Sequence, residues 1–199
     1  MLELIEKIFN EENRFLFVEG LAVASGLLYI YLQIKQRSSM WLVGFFSSLV
    51  YVFVFFNSKL FALSSIYVYY TAMSVYGLYC WRFSKKSNKG QRPVIRLNLK
   101  LAIILLIISA ILTPTIGYIL DRWLEASNNL PYIEGLVTAL SIVGTWMLAK
   151  KIIEHWLVWI FVNFCSAVLA FYNENGLDLT AGLFVIYGIL SIVGWIKWK

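Results

Sequence analysis

Glu154-His155-Trp156-Leu157-Val158-Trp159-Ile160-Phe161-Val162-Asn163 decides how the chain is built, because part of it occurs twice. Trp41-Leu42-Val43 returns 115 positions later as Trp156-Leu157-Val158, and Glu19-Gly20-Leu21 returns at the same offset as Glu134-Gly135-Leu136. Further along the offset becomes 117: Tyr70 matches Tyr187, Ser74 matches Ser191, Gly77 matches Gly194 and Trp81 matches Trp198. Two constant offsets separated by a two-residue insertion, at the turn Asn173-Glu174-Asn175-Gly176, describe an internal duplication.

The repeated unit is apolar. Of the 199 residues, 60% are hydrophobic and 14% charged, and the mean hydropathy is +0.74. A soluble domain is about 45–50% apolar and about 25% charged, so the composition describes an all-α polytopic membrane protein. A spanning helix needs roughly 17–25 largely apolar residues. Seven runs qualify: about 16–34, 40–57, 60–82, 97–120, 132–149, 152–172 and 179–197. Residues 1–15 form an N-terminal extracytoplasmic segment, in which Leu2, Ile5, Ile8 and Phe9 suit a short surface helix or a frayed polar end. Glu3, Glu6, Glu11 and Glu12 exclude the basic start of a secretory signal. Residues 16–82 make the first three-helix repeat, 83–96 a basic cytoplasmic loop, 97–120 a linker helix and 132–198 the second repeat.

Helix 5 lies four crossings after helix 1, so the two triplets run in the same direction. Their relation is then a parallel repeat about an axis along the membrane normal, with helix 4 as the odd span. This 3+1+3 plan is that of transporters whose halves rock about a midplane site, and SWEET proteins are built on such repeats. Thirteen of the 17 basic residues fall on one side, from Lys35 and Arg37 through the 83–96 loop to Lys150, Lys151, Lys197 and Lys199. The positive-inside rule places that side in the cytoplasm, with the N-terminus outside. The net charge of +6 is therefore a topology signal and not a nucleic-acid footprint.

Trp156, Trp159 and Asn163 share one helical face (i, i+3, i+7). Two indoles and an amide suit a flat polar ring, held by stacking and oriented by a hydrogen bond. The same stripe also suits interfacial tryptophans and an interhelical amide. On helix 3, Tyr67 and Tyr70 share a face with Ser74 and Gly77; Tyr187 is the mate of Tyr70 in the other half. Aromatic walls attract a cationic ring or quaternary nitrogen, each contributing roughly 0.5–2 kcal/mol. Glu19 and Glu134 occupy equivalent places near the outer ends of helices 1 and 5, where a carboxylate either draws a cation into a vestibule or ties its helix to the headgroups. No mid-membrane His or Asp extends them into a proton relay. His155 has no second ligand near it, so no metal site is expected. The two cysteines, Cys80 and Cys165, read as small buried hydrophobes. Motifs of catalysis or of retinal attachment are missing, and neither a catalytic residue nor a cofactor is expected.

The chain resembles the PnuC family of bacterial vitamin transporters. The likeness rests on Glu154-x-Trp156-Leu157-x-Trp159-Ile160-x-x-Asn163, on Tyr76-Gly77-x-x-x-Trp81, and on Ser141-x-x-Gly144 with Lys150, and it extends over about residues 16–198. The resemblance implies a SWEET-like fold in the bacterial inner membrane. It also implies facilitated diffusion of nicotinamide riboside, trapped inside by a cytoplasmic kinase, with Trp156, Trp159 and Asn163 at the substrate. One departure matters. Family members for nicotinamide riboside would carry Gln three residues before the position of Tyr70, where this chain has Tyr67. Relatives with Tyr there, and with Glu at the position of Glu134, include thiamine carriers, so thiamine is the alternative substrate. A non-transporting membrane binding protein is the rival class. Gly20, Ala24 and Gly26 form a small-residue face that suits packing within the chain or between copies.

Overall fold

The computed structural model describes residues 11–57, 61–83, 92–123, 130–171 and 178–199. The expected surface helix over residues 1–12 lies almost wholly outside these residues, as does most of the 83–96 loop. Among the described residues are seven helices: α1 Glu11–Ile34, α2 Met40–Asn57, α3 Phe61–Phe83, α4 Leu99–Trp123, α5 Pro131–Ala149, α6 His155–Phe171 and α7 Asp178–Trp198. Six of them begin and end within three residues of the apolar runs; α1 starts five residues earlier. Leu99–Arg122, Pro131–Ala149 and Ala181–Trp198 are long and apolar enough to cross a bilayer by length and composition. Their outward residues are apolar too. Leu99, Ile103, Leu106, Ile107 and Ile111 of α4 are exposed, which water penalises and lipid does not.

The first helix of each triplet ends in the same way. Gln36 and Lys151, 115 positions apart, both take positive φ, 54° and 58°. Gln36 N–H donates to Gln33 O and Arg37 N–H to Leu32 O, both at 2.9 Å; Lys151 N–H donates to Leu148 O at 2.9 Å and Ile152 N–H to Met147 O at 3.0 Å. Each pair is a Schellman motif, which satisfies the last carbonyls of the helix and reverses the chain. A non-glycine residue in this conformation is disfavoured by itself and persists because its surroundings hold it.

The second and third helices of each triplet then meet without a gap. Trp41 of α2 lies on Gly77 of α3, and Trp156 of α6 lies on Gly194 of α7. A Cβ on either glycine would stand 2.4 Å from the indole, so nothing larger fits. The triplets touch each other through α1 with α7 and α3 with α5, which are counterparts under the two offsets. Trp81 Nε1 donates to Leu148 O at 3.2 Å and Trp198 Nε1 to Ile34 O at 3.3 Å. Each third helix thus ends on the first helix of the other triplet. The rings of Trp81 and Trp198 lie 6.0 Å apart, and Trp41 and Trp156 meet them edge-on at 5.8 and 5.5 Å. These four indoles form the core of the basic end of the bundle.

α4 packs on α5, where Gly135 lies so close to α4 that a Cβ would be 2.6 Å from Thr113 O. The segment entering α4 is pinned to the α5–α6 turn by an isolated parallel bridge, Ile95 with Ile152. Ile95 N–H donates to Lys151 O, and Ile153 N–H to Ile95 O, both at 3.0 Å. Leu97 N–H donates to the Glu154 carboxylate at 2.8 Å.

Gly194→Ala should lower the thermal stability of the purified protein by about 1–3 kcal/mol, because Trp156 is wholly enclosed and cannot yield. Gly182→Ala, with nothing within 4 Å of the new Cβ, should be neutral or stabilising by up to about 1 kcal/mol. Equal melting temperatures for the two variants would show that the indole–glycine contact is not a constraint.

Candidate functional site

A cavity of about 570 Å³ opens between the triplets, lined by residues of α1, α2, α3, α6 and α7 and by Thr145 of α5. Along α1 it runs from Val23 to Gln33, about 15 Å at the helical rise of about 1.5 Å per residue. Trp156, Trp159, Asn163, Tyr67, Tyr70 and Tyr187 all line it. Six of the eight residues singled out in the sequence therefore converge on one space, although they come from three helices. Glu134 is not among the lining residues; it sits half-buried in the first turn of α5, next to the Gly135 contact with α4. Glu19 lies on α1, but its side chain is outside the described residues.

The tyrosines form a continuous wall. Tyr51 and Tyr67 are tilted at 4.7 Å, and Tyr67 and Tyr70 meet edge-on at 5.8 Å. The Tyr70 hydroxyl is hydrogen-bonded to Ser141 of α5, and the Tyr187 hydroxyl fills the space over Gly26 of α1. Gly26 and Ser141 are themselves 115 positions apart, so each triplet's tyrosine reaches the corresponding point of the other triplet. Asn163 Nδ2 donates to Ser191 Oγ at 3.4 Å, and the Ser191 hydroxyl donates in turn to Tyr187 O at 2.8 Å. With one N–H given to Ser191, Asn163 has its amide oxygen and its second N–H left for a ligand.

Several lining residues escape a reading of the sequence. Tyr29 and Gln33 of α1, Ser48 and Tyr51 of α2 all face the cavity. Tyr29 is part of an exchange between the triplets. It packs on Gly44 of α2, whose Cβ would lie 2.9 Å from its ring, whereas in the second triplet Trp159 of α6 packs over Gly144 of α5. Tyr29 corresponds to Gly144 and Gly44 to Trp159. The large residue sits on α1 in one case and on α6 in the other, and the cavity lining is correspondingly unequal, with six residues from α1 and one from α5. Aligning the two copies and asking where large and small exchange would have found Tyr29.

The basic end of the cavity is closed by contacts across the triplets. Lys151 is buried at 1% exposure, donates to Gln36 Oε1 at 3.1 Å and to Arg92 O at 3.0 Å, and lies 4.5 Å over the Trp81 ring. Burial, and then the charge of Arg92, bring its ammonium down to about 8. Among the described residues no three His, Cys, Asp or Glu side chains converge in a way that would hold a metal ion.

Residues 16–199 match the family model described as nicotinamide mononucleotide transporter. The chain belongs to this family of nicotinamide mononucleotide transporters. It is thus a multi-pass membrane transporter and not an enzyme. Among the proteins it is similar to, the nicotinamide riboside transporter PnuC of Escherichia coli (strain K12) is 22% identical over 92% of this chain and 84% of its own length. That of Neisseria mucosa is 27% identical over 99% and 76%. The riboflavin/roseoflavin transporter RibM of Streptomyces davaonensis is 25% identical over 87% and 80%. The fold is that of the crystal structure of the vitamin B3 transporter PnuC, with a TM-score of 0.72 at 22% identity, covering 99% of this chain and 85% of that one.

Since Lys151 binds its proton less tightly in the folded state than in the unfolded chain, folding carries a penalty that is complete below pH 8. The penalty is relieved as the pH rises from about 8 towards the ordinary lysine value of 10.5. Wild-type melting temperature, measured relative to Lys151→Met, should therefore rise between pH 7.5 and pH 10. A constant difference would mean that Lys151 is not desolvated.

Proposed function

We propose that the chain carries nicotinamide riboside across the bacterial cytoplasmic membrane by facilitated diffusion, and that phosphorylation by a cytoplasmic kinase traps the product. The observation that carries this reading is the convergence of Trp156, Trp159 and Asn163 with Tyr67, Tyr70 and Tyr187 on one cavity, in a chain whose relatives include transporters named for that substrate. A flat cationic ring with a hydroxylated arm matches the lining. The indoles and tyrosines stack on the ring and meet its charge with their quadrupoles, and Asn163 accepts a hydrogen bond from the arm.

The movement proposed is a rocking of two three-helix halves about an axis along the membrane normal, with α4 as a connector. The counterpart Schellman turns, the counterpart indole–glycine contacts and the reciprocal tryptophan–carbonyl bonds support this. The basic end, which holds those contacts, is taken to face the cytoplasm, leaving the N-terminus outside. Opening that end would separate Lys151 from Gln36 and Trp198 from the α1 carbonyl. Glu19 and Glu134, near the other end of their helices, are proposed to attract the cation at the mouth of the pathway and not within the cavity.

Thiamine remains a second reading for one reason. Tyr67, which stands where a glutamine is expected for the riboside, is built into the wall against Tyr51.

Trp159→Ala and Asn163→Ala should each weaken binding by about tenfold or more, the order of a lost stacking or hydrogen-bond partner. The check is tryptophan fluorescence of the purified protein titrated with nicotinamide riboside and thiamine in parallel. If neither substitution changes binding or uptake in a correctly inserted protein, the site is misplaced. Proteoliposomes containing this protein alone should show saturable uptake without an ion gradient. Binding without flux would make it a receptor.

A further inference from the structure

Gln33 and His155 form a polar pair at the basic end of the cavity that neither the family motif nor the duplication points to. Gln33 lines the cavity at 4% exposure, and its Nε2 lies 3.1 Å from Nε2 of His155, which is wholly buried at the start of α6. The roles in this contact can be worked out. His155 Nδ1 lies 2.6 Å from Ile152 O. A carbonyl only accepts, so Nδ1 carries the hydrogen. The ring is enclosed and touches no carboxylate among the described residues, so it is neutral, and Nε2 presents a lone pair. Gln33 must therefore give an N–H to His155, which turns its Oε1 away from the imidazole. That oxygen has no partner among the described residues.

The imidazole has no freedom to change this. Trp156 lies against it at 4.7 Å and Trp198 meets it edge-on at 4.9 Å. A fixed ring with a fixed tautomer holds the amide, and the amide offers an oxygen to the cavity. From this we infer that Gln33, set by His155, selects substrates whose flat ring bears an exocyclic N–H donor, a carboxamide or an amine, and turns away the corresponding carboxylate. Gln33 is the contact residue; His155 is a positioning residue acting through it. The amide of nicotinamide riboside and the amino group of the thiamine pyrimidine share this chemistry. A carboxylate would place its negative charge against the amide oxygen, where an N–H donor would have made a hydrogen bond.

The inference rests on the proposed vitamin substrate, and the test separates the two. The purified full-length protein is titrated, by tryptophan fluorescence, with nicotinamide riboside against nicotinic acid riboside, and with thiamine against oxythiamine, whose amino group is replaced by a carbonyl. Wild-type protein should prefer the N–H-bearing member of whichever pair it binds by about tenfold or more, as expected when a site built for a donor meets its analogue without one. Gln33→Met should bring the two members of the pair to similar affinity. His155→Gln, which keeps an acceptor where Nε2 was, should retain the preference, and His155→Leu, which frees the Gln33 amide to rotate, should lose it. A merely structural His155 would make the two substitutions alike in selectivity. Should Gln33→Met not give monodisperse protein, Gln33→Asn, one methylene shorter, reads the same comparison. Wild-type preference preserved in the Gln33 variant, or equal selectivity in the two His155 variants, overturns the inference and leaves the substrate standing. Wild-type protein that binds none of the four compounds overturns both.

Discussion

The indole–glycine contact is the interaction on which the rest of the structure depends. With no Cβ at Gly77 or Gly194, α2 lies flush on α3 and α6 flush on α7 through Trp41 and Trp156. In a membrane there is no aqueous driving force for helices to associate, so close van der Waals approach must supply it. Once these pairs are set, Trp81 and Trp198 are carried to positions where their N–H groups reach the carbonyls of the opposite triplet. The same contacts orient Trp156 at the wall of the cavity, so the packing of the scaffold and the shape of the site are one problem.

The polarity of the cavity follows from what its amides have already committed. Asn163 gives one N–H to Ser191 and Gln33 one to His155, so each keeps its oxygen, together with a second N–H, for the interior. A lining rich in aromatic faces, with two amide oxygens and with Glu134 not part of it, offers π faces and acceptors to a cation without carrying a formal charge. Such a surface attracts a soft cation while sparing the desolvation cost of a buried carboxylate. This also accounts for a difference between sequence and structure. An acidic residue in an apolar run is the loudest signal in a membrane sequence, yet the uncharged groups line the space between the helices.

What was legible from the sequence was whatever repeats or periodicity could report. The seven helices follow from apolar runs, and the equivalence of Trp41 with Trp156 or Tyr70 with Tyr187 from constant offsets. Helical spacing put Trp156, Trp159 and Asn163 on one face. Tyr29, Gln33 and Tyr51 were not legible, because each is a single polar-tipped residue among apolar neighbours, and its direction depends on how α1 and α2 turn against helices far away in the chain. In the sequence His155 stands at the start of an apolar run beside Lys150 and Lys151; only the fold shows that its ring is buried between Trp156 and Trp198. Lys151 itself reads as one more cytoplasmic charge, whereas its left-handed backbone turns the side chain inward to meet Gln36.

The exchange of Tyr29 and Gly44 for Gly144 and Trp159 makes the two sides of the cavity unlike. A bundle made from two identical triplets would place matching half-sites symmetrically about its axis, and a ligand there would be bound in two equivalent poses or by two weak sites. With bulk on α1 in one place and on α6 in the other, the chamber has unlike walls, six lining residues coming from α1 and one from α5. The substrate proposed above would then meet different walls at its two faces, a difference that the shared turns and end contacts do not impose.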